Sequence, residues 1–220
     1  MIQPRLIIFD CDGVLVDSEP LANTFLLQEL SRYGLNLTMA DCDALFVGGT
    51  MKGAAIVARQ MGADLPDNWV DDFYPRFYTH LKKGVPLVNG IFDVLDLVNK
   101  AKIPHCVVSN GSEEKMRITL GQNGLWDRFQ GAIFSAHTYG TAKPDPELLL
   151  IAARQFDVAP ADCIVIDDSP SGCKGAANAG MRCIGFAERS DGEKLAVTGA
   201  PVIKSIAELP RLLGLSAPTP

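Results

Sequence analysis

The sequence predicts an α/β protein: a Rossmann-like, doubly wound parallel sheet with an all-helical domain inserted near its start. Three observations predict it. Short runs rich in β-branched residues are apolar on both faces, as the strands of a buried parallel sheet must be. Segments between them carry apolar residues at helical spacing, so each helix has one face to lay on a sheet. One long early stretch has helical patterns and turns but no buried strand.

In chain order, the first strand is Leu6-Ile7-Ile8-Phe9. Residues 20–83 then read as helices over Leu21 to Tyr33, Ala40 to Phe46, Thr50 to Met61 and Trp69 to Lys82, with Gly34, Gly48-Gly49 and Gly62 near the breaks. Pro75, inside the last helix, lacks an N–H and is expected to kink or split it. Ile91, Val94, Leu95 and Val98 fall at i, i+3, i+4 and i+7 of the next helix, and Leu148, Leu149, Ala152 and Ala153 repeat that stripe. The remaining strands are His105 to Val108, Ala132 to Phe134, Cys163 to Ile166 and Cys183 to Phe186. Residues 1–19 and 84–220 are therefore assigned to the α/β core and 20–83 to the helical domain, with 216–220 a disordered tail.

With 220 residues, 47% of them hydrophobic, the chain can bury a sizeable core. A net charge of -6 gives no electrostatic reason to expect nucleic acid or an anionic membrane as partner, so a small diffusible metabolite is the expected one, bound by a monomer or small homo-oligomer. The start runs directly into Leu6 to Phe9, leaving no room for a secretory signal, and no apolar run is long enough to span a bilayer; the expected location is cytoplasmic. The six cysteines form no C-x-x-C pair and read as small buried hydrophobes in a reducing compartment. His80, His105 and His137 are scattered, with no convincing nucleophile beside them, which argues against Ser/His/Asp or zinc chemistry.

Side chains that do chemistry in an open α/β sheet gather beyond the carboxyl ends of the strands. The first strand ends in Asp10-Cys11-Asp12-Gly13, where Asp10 and Asp12, two apart on a nearly extended backbone, can face one reaction centre. Alternation turns Cys11 to the opposite face. Asp17-Ser18 can serve as a cap for the helix that follows. Beyond Val108 stands Ser109-Asn110-Gly111-Ser112, able to hold phosphate oxygens or simply to cap a helix. Lys143 lies in a stretch stiffened by Pro144 and Pro146, and Asp167-Asp168 follow the strand ending at Ile166. Adjacent carboxylates repel unless a cation or hydrogen-bond donors compensate, and a metal is the economical explanation.

Taken together and in this order, the four segments resemble the four signatures of the haloacid dehalogenase superfamily: Asp10-x-Asp12-Gly13-x-x-x-Asp17, Ser109, Lys143 and Asp167-Asp168. The helical insert after the first signature looks like that superfamily's cap domain. The resemblance implies a phosphatase with Asp10 as nucleophile and Asp12 as general acid and base. Mg2+ would be held by Asp10, the backbone carbonyl of Asp12 and Asp168, with Asp167 orienting a coordinated water. Ser109, Asn110 and Lys143 would bind the phosphoryl oxygens, and Lys143 would also keep Asp10 ionised.

Within the superfamily, Cys106 to Gly111 leading to Lys115-Met116, with Val165 to Ser169 and Ala179-Gly180-Met181, resembles the bacterial sugar-phosphate phosphatases, which implies a sugar or sugar-acid phosphate such as 6-phosphogluconate as substrate. Lys52 and Gly49 are the candidate specificity residues in the cap; a solvated surface lysine is the alternative for Lys52. Trp69 and Trp126 read as packing residues. A phosphotransferase resembling β-phosphoglucomutase is the alternative enzyme. A non-enzymatic phospho-acceptor resembling receiver domains is the alternative of another class, against which stand the order of the acidic residues and the helical insert.

Overall fold

The computed structural model describes residues 3–46 and 50–215. Gly49 and the tail expected at 216–220 lie outside the described residues. The chain divides into two compact units, Met1–Asp17 with Pro86–Pro220, and Ser18–Val85.

In the first unit six parallel strands, β1 (Leu6–Phe9), β2 (His105–Ser109), β3 (Ile133–Ser135), β4 (Cys163–Asp167), β5 (Arg182–Phe186) and β6 (Val202–Ile203), form one sheet in the order β3-β2-β1-β4-β5-β6. The sheet grows outward from β1 in one direction, then crosses back to β4 and grows in the other. Beside β1, paired with both β2 and β4, the connections part to opposite sides, which opens a crevice at the strand ends. Every residue of β1 and β4 is buried, as their two-sided apolar sequence requires. The sixth strand was not foreseen, because two residues after Pro201 are too short a run to show a period.

The second unit contains α1 (Glu19–Arg32), α2 (Met39–Leu45), α3 (Met51–Gln60) and α4 (Trp69–Leu81), and no strand among its described residues. Its core is aromatic: Phe25, Trp69, Phe73 and Phe77 pack with ring centroids 5.2 to 5.6 Å apart. Trp69 is fully buried, as a packing residue should be. Pro75 does not split α4 as expected. It lies on the exposed face, where the Asp71 carbonyl that loses its partner can turn to water.

The first unit continues with α5 (Ile91–Lys100), α6 (Glu113–Gly121), α7 (Leu125–Arg128), α8 (Ala136–Tyr139), α9 (Glu147–Gln155), α10 (Pro170–Asn178), α11 (Glu193–Ala196) and α12 (Leu209–Leu212). The stripes anticipated on α5 and α9 are their buried faces. Leu6 and Ile8 share one core with Leu148, Leu149 and Ala152 of α9 and Ala176 of α10, while Phe9, turned the other way by strand alternation, meets His105 and Phe129 edge to face. Among the described residues no helix is long and apolar enough to cross a membrane.

Candidate active site

The site begins where β1 ends. The Asp10 N–H donates to the Ile166 carbonyl of β4 at 2.9 Å, which pins its carboxylate at the crevice. Gly13 then turns the chain with φ +75°, and a Cβ there would stand 1.8 Å from Asp168 Oδ2. Both the conformation and the close approach require glycine. Cys11 is fully buried with Sγ 4.0 Å from Thr119 Oγ1, and burial pushes its thiol far above the ordinary cysteine range, which disfavours the thiolate.

Lys143 ties the strand ends together. Its Nζ donates to Asp10 Oδ1 at 2.5 Å, to Asp167 Oδ2 at 2.7 Å and to the Val108 carbonyl at 3.1 Å, so the three hydrogens of the ammonium have an acceptor each on the ends of β1, β4 and β2. Burial alone would lower its pKa, but Asp10 and Asp167 more than offset that and hold it above the ordinary lysine range. Burial pushes the Asp10 carboxyl up to about 7; Lys143 pulls against this, while Asp167 and Asp12 push further up. Lys143, by its charge and its hydrogen bond, is the neighbour that favours the ionised form of Asp10.

Asn110 does something the sequence did not suggest. Its Oδ1 accepts from the Lys143 N–H at 2.8 Å and its Nδ2 donates to the Lys143 carbonyl at 2.9 Å, so its side chain clamps the backbone that carries the lysine. Ser109 is buried at the end of β2, and its Oγ accepts from the Gly111 N–H at 2.9 Å. The helix cap in this segment is Ser112, whose Oγ accepts from the Lys115 N–H. The capping reading of the segment thus falls on Ser112 and leaves Ser109 to face the crevice.

Asp167 is fully buried and already compensated: Lys143 binds Oδ2, and the N–H and hydroxyl of Ser169 donate to Oδ1 at 2.9 and 2.7 Å. Gly172, in the first turn of α10, packs so closely on this carboxylate that a Cβ would lie 1.8 Å from Oδ2. Ligand atoms of Asp10, Asp167 and Asp168 lie within 4.8 Å of one another. When both are ionised, Asp10 and Asp167 share one ammonium and keep a negative charge after pairing. An all-oxygen donor set with surplus negative charge fits a hard divalent cation.

Lys115 was missed as a site residue. From α6 its Nζ reaches Asp12 Oδ1 at 2.8 Å, with 19% and 24% of the two side chains exposed. The available signal was electrostatic: a lysine in the first turn of a helix faces the positive end of the dipole and needs an acid to aim at. Asp17 binds Arg189, with Nε 3.0 Å from Oδ1, and Ser18, at the N-cap of α1, makes no side-chain capping bond, so this pair does not act as the cap considered. Lys52 is exposed on α3 in the helical unit, and Trp126 lies under the Arg117 guanidinium at 4.3 Å.

Asp10, Asp12, Ser109, Lys143, Asp167 and Asp168 therefore meet at one crevice. The sequence model of the haloacid dehalogenase-like hydrolase family matches residues 7–186, from β1 to the end of β5. The chain belongs to the haloacid dehalogenase-like hydrolases. Among its relatives this hydrolase is 27% identical to the 6-phosphogluconate phosphatase of Escherichia coli K12, over 96% of each chain. A haloacid dehalogenase-like protein of Agrobacterium tumefaciens superposes with a TM-score of 0.84 at 31% identity, covering 96% of this chain and 97% of that one. A family hydrolase of Deinococcus radiodurans, with phosphate and sodium bound, superposes with a TM-score of 0.85 at 28% identity over 99% of both. The haloacid dehalogenase-like hydrolase described here is, on its family and relatives, a phosphatase.

Proposed function

We propose that the protein hydrolyses a small phosphate monoester, a sugar or sugar-acid phosphate such as 6-phosphogluconate, through an aspartyl-phosphate on Asp10 and with Mg2+. The observation that carries this reading is Lys143 Nζ, 2.5 Å from Asp10 and 2.7 Å from Asp167, at the meeting of three strand ends. The relative named 6-phosphogluconate phosphatase, alike over nearly its full length, supports the substrate class.

Asp10 attacks phosphorus, and the ester oxygen leaves as an alcohol that takes a proton from Asp12. Asp12 then removes a proton from water as that water attacks the same phosphorus, and Asp10 is released with inorganic phosphate. Lys115 aims the Asp12 carboxylate, and Asn110 aims Lys143. To reach a phosphoryl oxygen Lys143 must give up one acceptor, and the Val108 carbonyl at 3.1 Å is the longest of the three. Ser109 at the end of β2 supplies a further donor.

Mg2+ would be held by Asp10, Asp168 and the Asp12 carbonyl; when bound it neutralises charge on the transferring phosphoryl group. Asp167 has both oxygens engaged by Lys143 and Ser169, so it is assigned as the charge behind those ligands. Lys52, exposed on α3, is proposed to touch the substrate.

The test is phosphate release from sugar phosphates, sugar-acid phosphates, phosphoglycolate and nucleotides, each with magnesium and with excess chelator. Metal-dependent release centred on sugar or sugar-acid phosphates is expected. Release favouring nucleotides, or undiminished by chelator, contradicts the proposal. Failure with every ester, together with isomerisation of β-glucose 1-phosphate in the presence of a bisphosphate primer, replaces it with the phosphotransferase.

A further inference from the structure

The six cysteines are all free thiols, and five of them are buried. Cys106 and Cys163 are fully buried on β2 and β4, strands that β1 separates, so they cannot pair without taking the sheet apart. Cys173 and Cys183 differ. Cys173 projects from the first turns of α10 and Cys183 from β5, and the two side chains pack together in a small cluster with Ala187, Leu195 and Val202. Both line a cavity of about 330 Å³ together with Thr198 and Pro201, and Cys183 is only half-buried, so a molecule of water size can reach the pair.

The pair is also wired to the acidic cluster. Cys173 Sγ lies 3.9 Å from the Asp167 carbonyl. Ser169, which caps α10 by accepting from the Gly172 N–H at 3.0 Å, donates its hydroxyl to the Asp167 carboxylate at 2.7 Å. Gly172 leaves no space between its backbone and that carboxylate. Any displacement of the first turn of α10 therefore moves Asp167, and with it the acceptor that holds Lys143.

We propose that Cys173 and Cys183 form a site of oxidation by hydroperoxides, closing as a disulfide that slows the phosphatase. The first sulfur, as thiolate, attacks an oxygen of hydrogen peroxide, breaking the O–O bond to give a sulfenic acid and hydroxide. The second sulfur attacks the sulfenic sulfur, the S–S bond forms, and hydroxide leaves as water once protonated. Two thiols and one peroxide give one disulfide and two waters, the sulfurs being oxidised and the peroxide oxygens reduced. An S–S bond of about 2.05 Å is much shorter than any non-bonded contact between two packed thiols, so closure draws the start of α10 towards β5 and away from its fit around Asp167. Misplacement by about 1 Å in a site of this kind costs up to about a hundredfold in rate.

The experiment treats the reduced protein with hydrogen peroxide, maps thiols by mass spectrometry, and follows phosphate release from p-nitrophenyl phosphate before and after a dithiol reductant. The expected result is a peptide pair joined through Cys173 and Cys183, at least about a tenfold loss of turnover, and full recovery on reduction. Cys183→Ser and Cys173→Ser should retain their own starting rates through the same treatment. Since the wild-type protein carries the mapping, a variant that folds poorly does not decide the matter. Absence of the link after peroxide, a link that leaves the rate unchanged, or equal loss in Cys183→Ser would each overturn the proposal.

Discussion

Lys115 donates to the Asp12 carboxylate across 2.8 Å, from the first turn of a helix whose preceding residues, Glu113 and Glu114, are the acids that position favours. A cation placed against its own helix dipole is held there by its partner. If Asp12 carries the proton in both half-reactions, Lys115 fixes where that proton is delivered. Lys115→Met is expected to lower kcat by about ten- to a hundredfold, a part of what general acid catalysis supplies, with little change in KM. Steady-state kinetics with Lys115→Arg as the conservative control measures this, and an unchanged kcat removes the assignment.

Lys143 stands between two carboxylates that the sheet holds fixed, with 3% of its side chain exposed. Lys143→Met leaves both without their cation and should destabilise the metal-free protein by about 3–5 kcal/mol. Urea unfolding with and without magnesium reads the difference. The metal should recover part of the loss, because it supplies positive charge at the same carboxylates.

The Asp10 carboxyl, raised by burial from 3.8 to about 7, sets a pH dependence with a definite sign. Between these values the folded protein holds a proton that the unfolded chain releases, so this group's contribution to stability falls as pH rises from about 4 to about 7 and then levels off. The same proton competes with a cation. Apparent magnesium affinity should weaken as pH falls below about 7, by up to tenfold per unit, and calorimetric titration across that range tests it. A flat affinity would show that Asp10 is not a ligand.

Gly172 lies against Asp167 with no space for a side chain. Gly172→Ala should push the carboxylate off Ser169 and Lys143, costing about 1–3 kcal/mol in stability and lowering turnover. The matched control is Gly175→Ala on the same helix, where the nearest atoms to a Cβ are 3.5 Å away. Equal effects of the two substitutions would mean that the Asp167 contact is not the cause.

Much of the fold was legible because its strands are buried on both faces. Leu6 to Phe9 and Cys163 to Ile166 carry no polar residue, and only the middle of a parallel sheet accommodates such runs. At the edge the same reasoning lost its signal, and Val202–Ile203 went unread. Pro75 leaves α4 unsplit because it falls on the exposed face, where water can satisfy the carbonyl that loses its N–H, and the local sequence does not state which face that is.

In the site, residues following strands could be listed from the sequence, since strand ends collect chemistry. What those residues do to one another could not. That Asn110 would clamp the Lys143 backbone, 33 residues along the chain, depends on how two loops meet. Asp167 next to Asp168 suggested a metal to relieve repulsion, yet Lys143 and Ser169 already relieve Asp167. Lys115 escaped because no fixed spacing links it to Asp12; only the fold brings α6 to the end of β1.

In the proposed reaction phosphate passes through Asp10 rather than directly to water, and the stereochemical course at phosphorus separates the two routes. The substrate is an ester made chiral at phosphorus with sulfur and oxygen isotopes, hydrolysed in isotopically labelled water. Each in-line displacement inverts the centre, so attack by Asp10 followed by attack of water returns the original configuration. Net retention is the expected result. Net inversion would mean a single displacement by water, and Asp10 would then be a ligand or base and not the nucleophile.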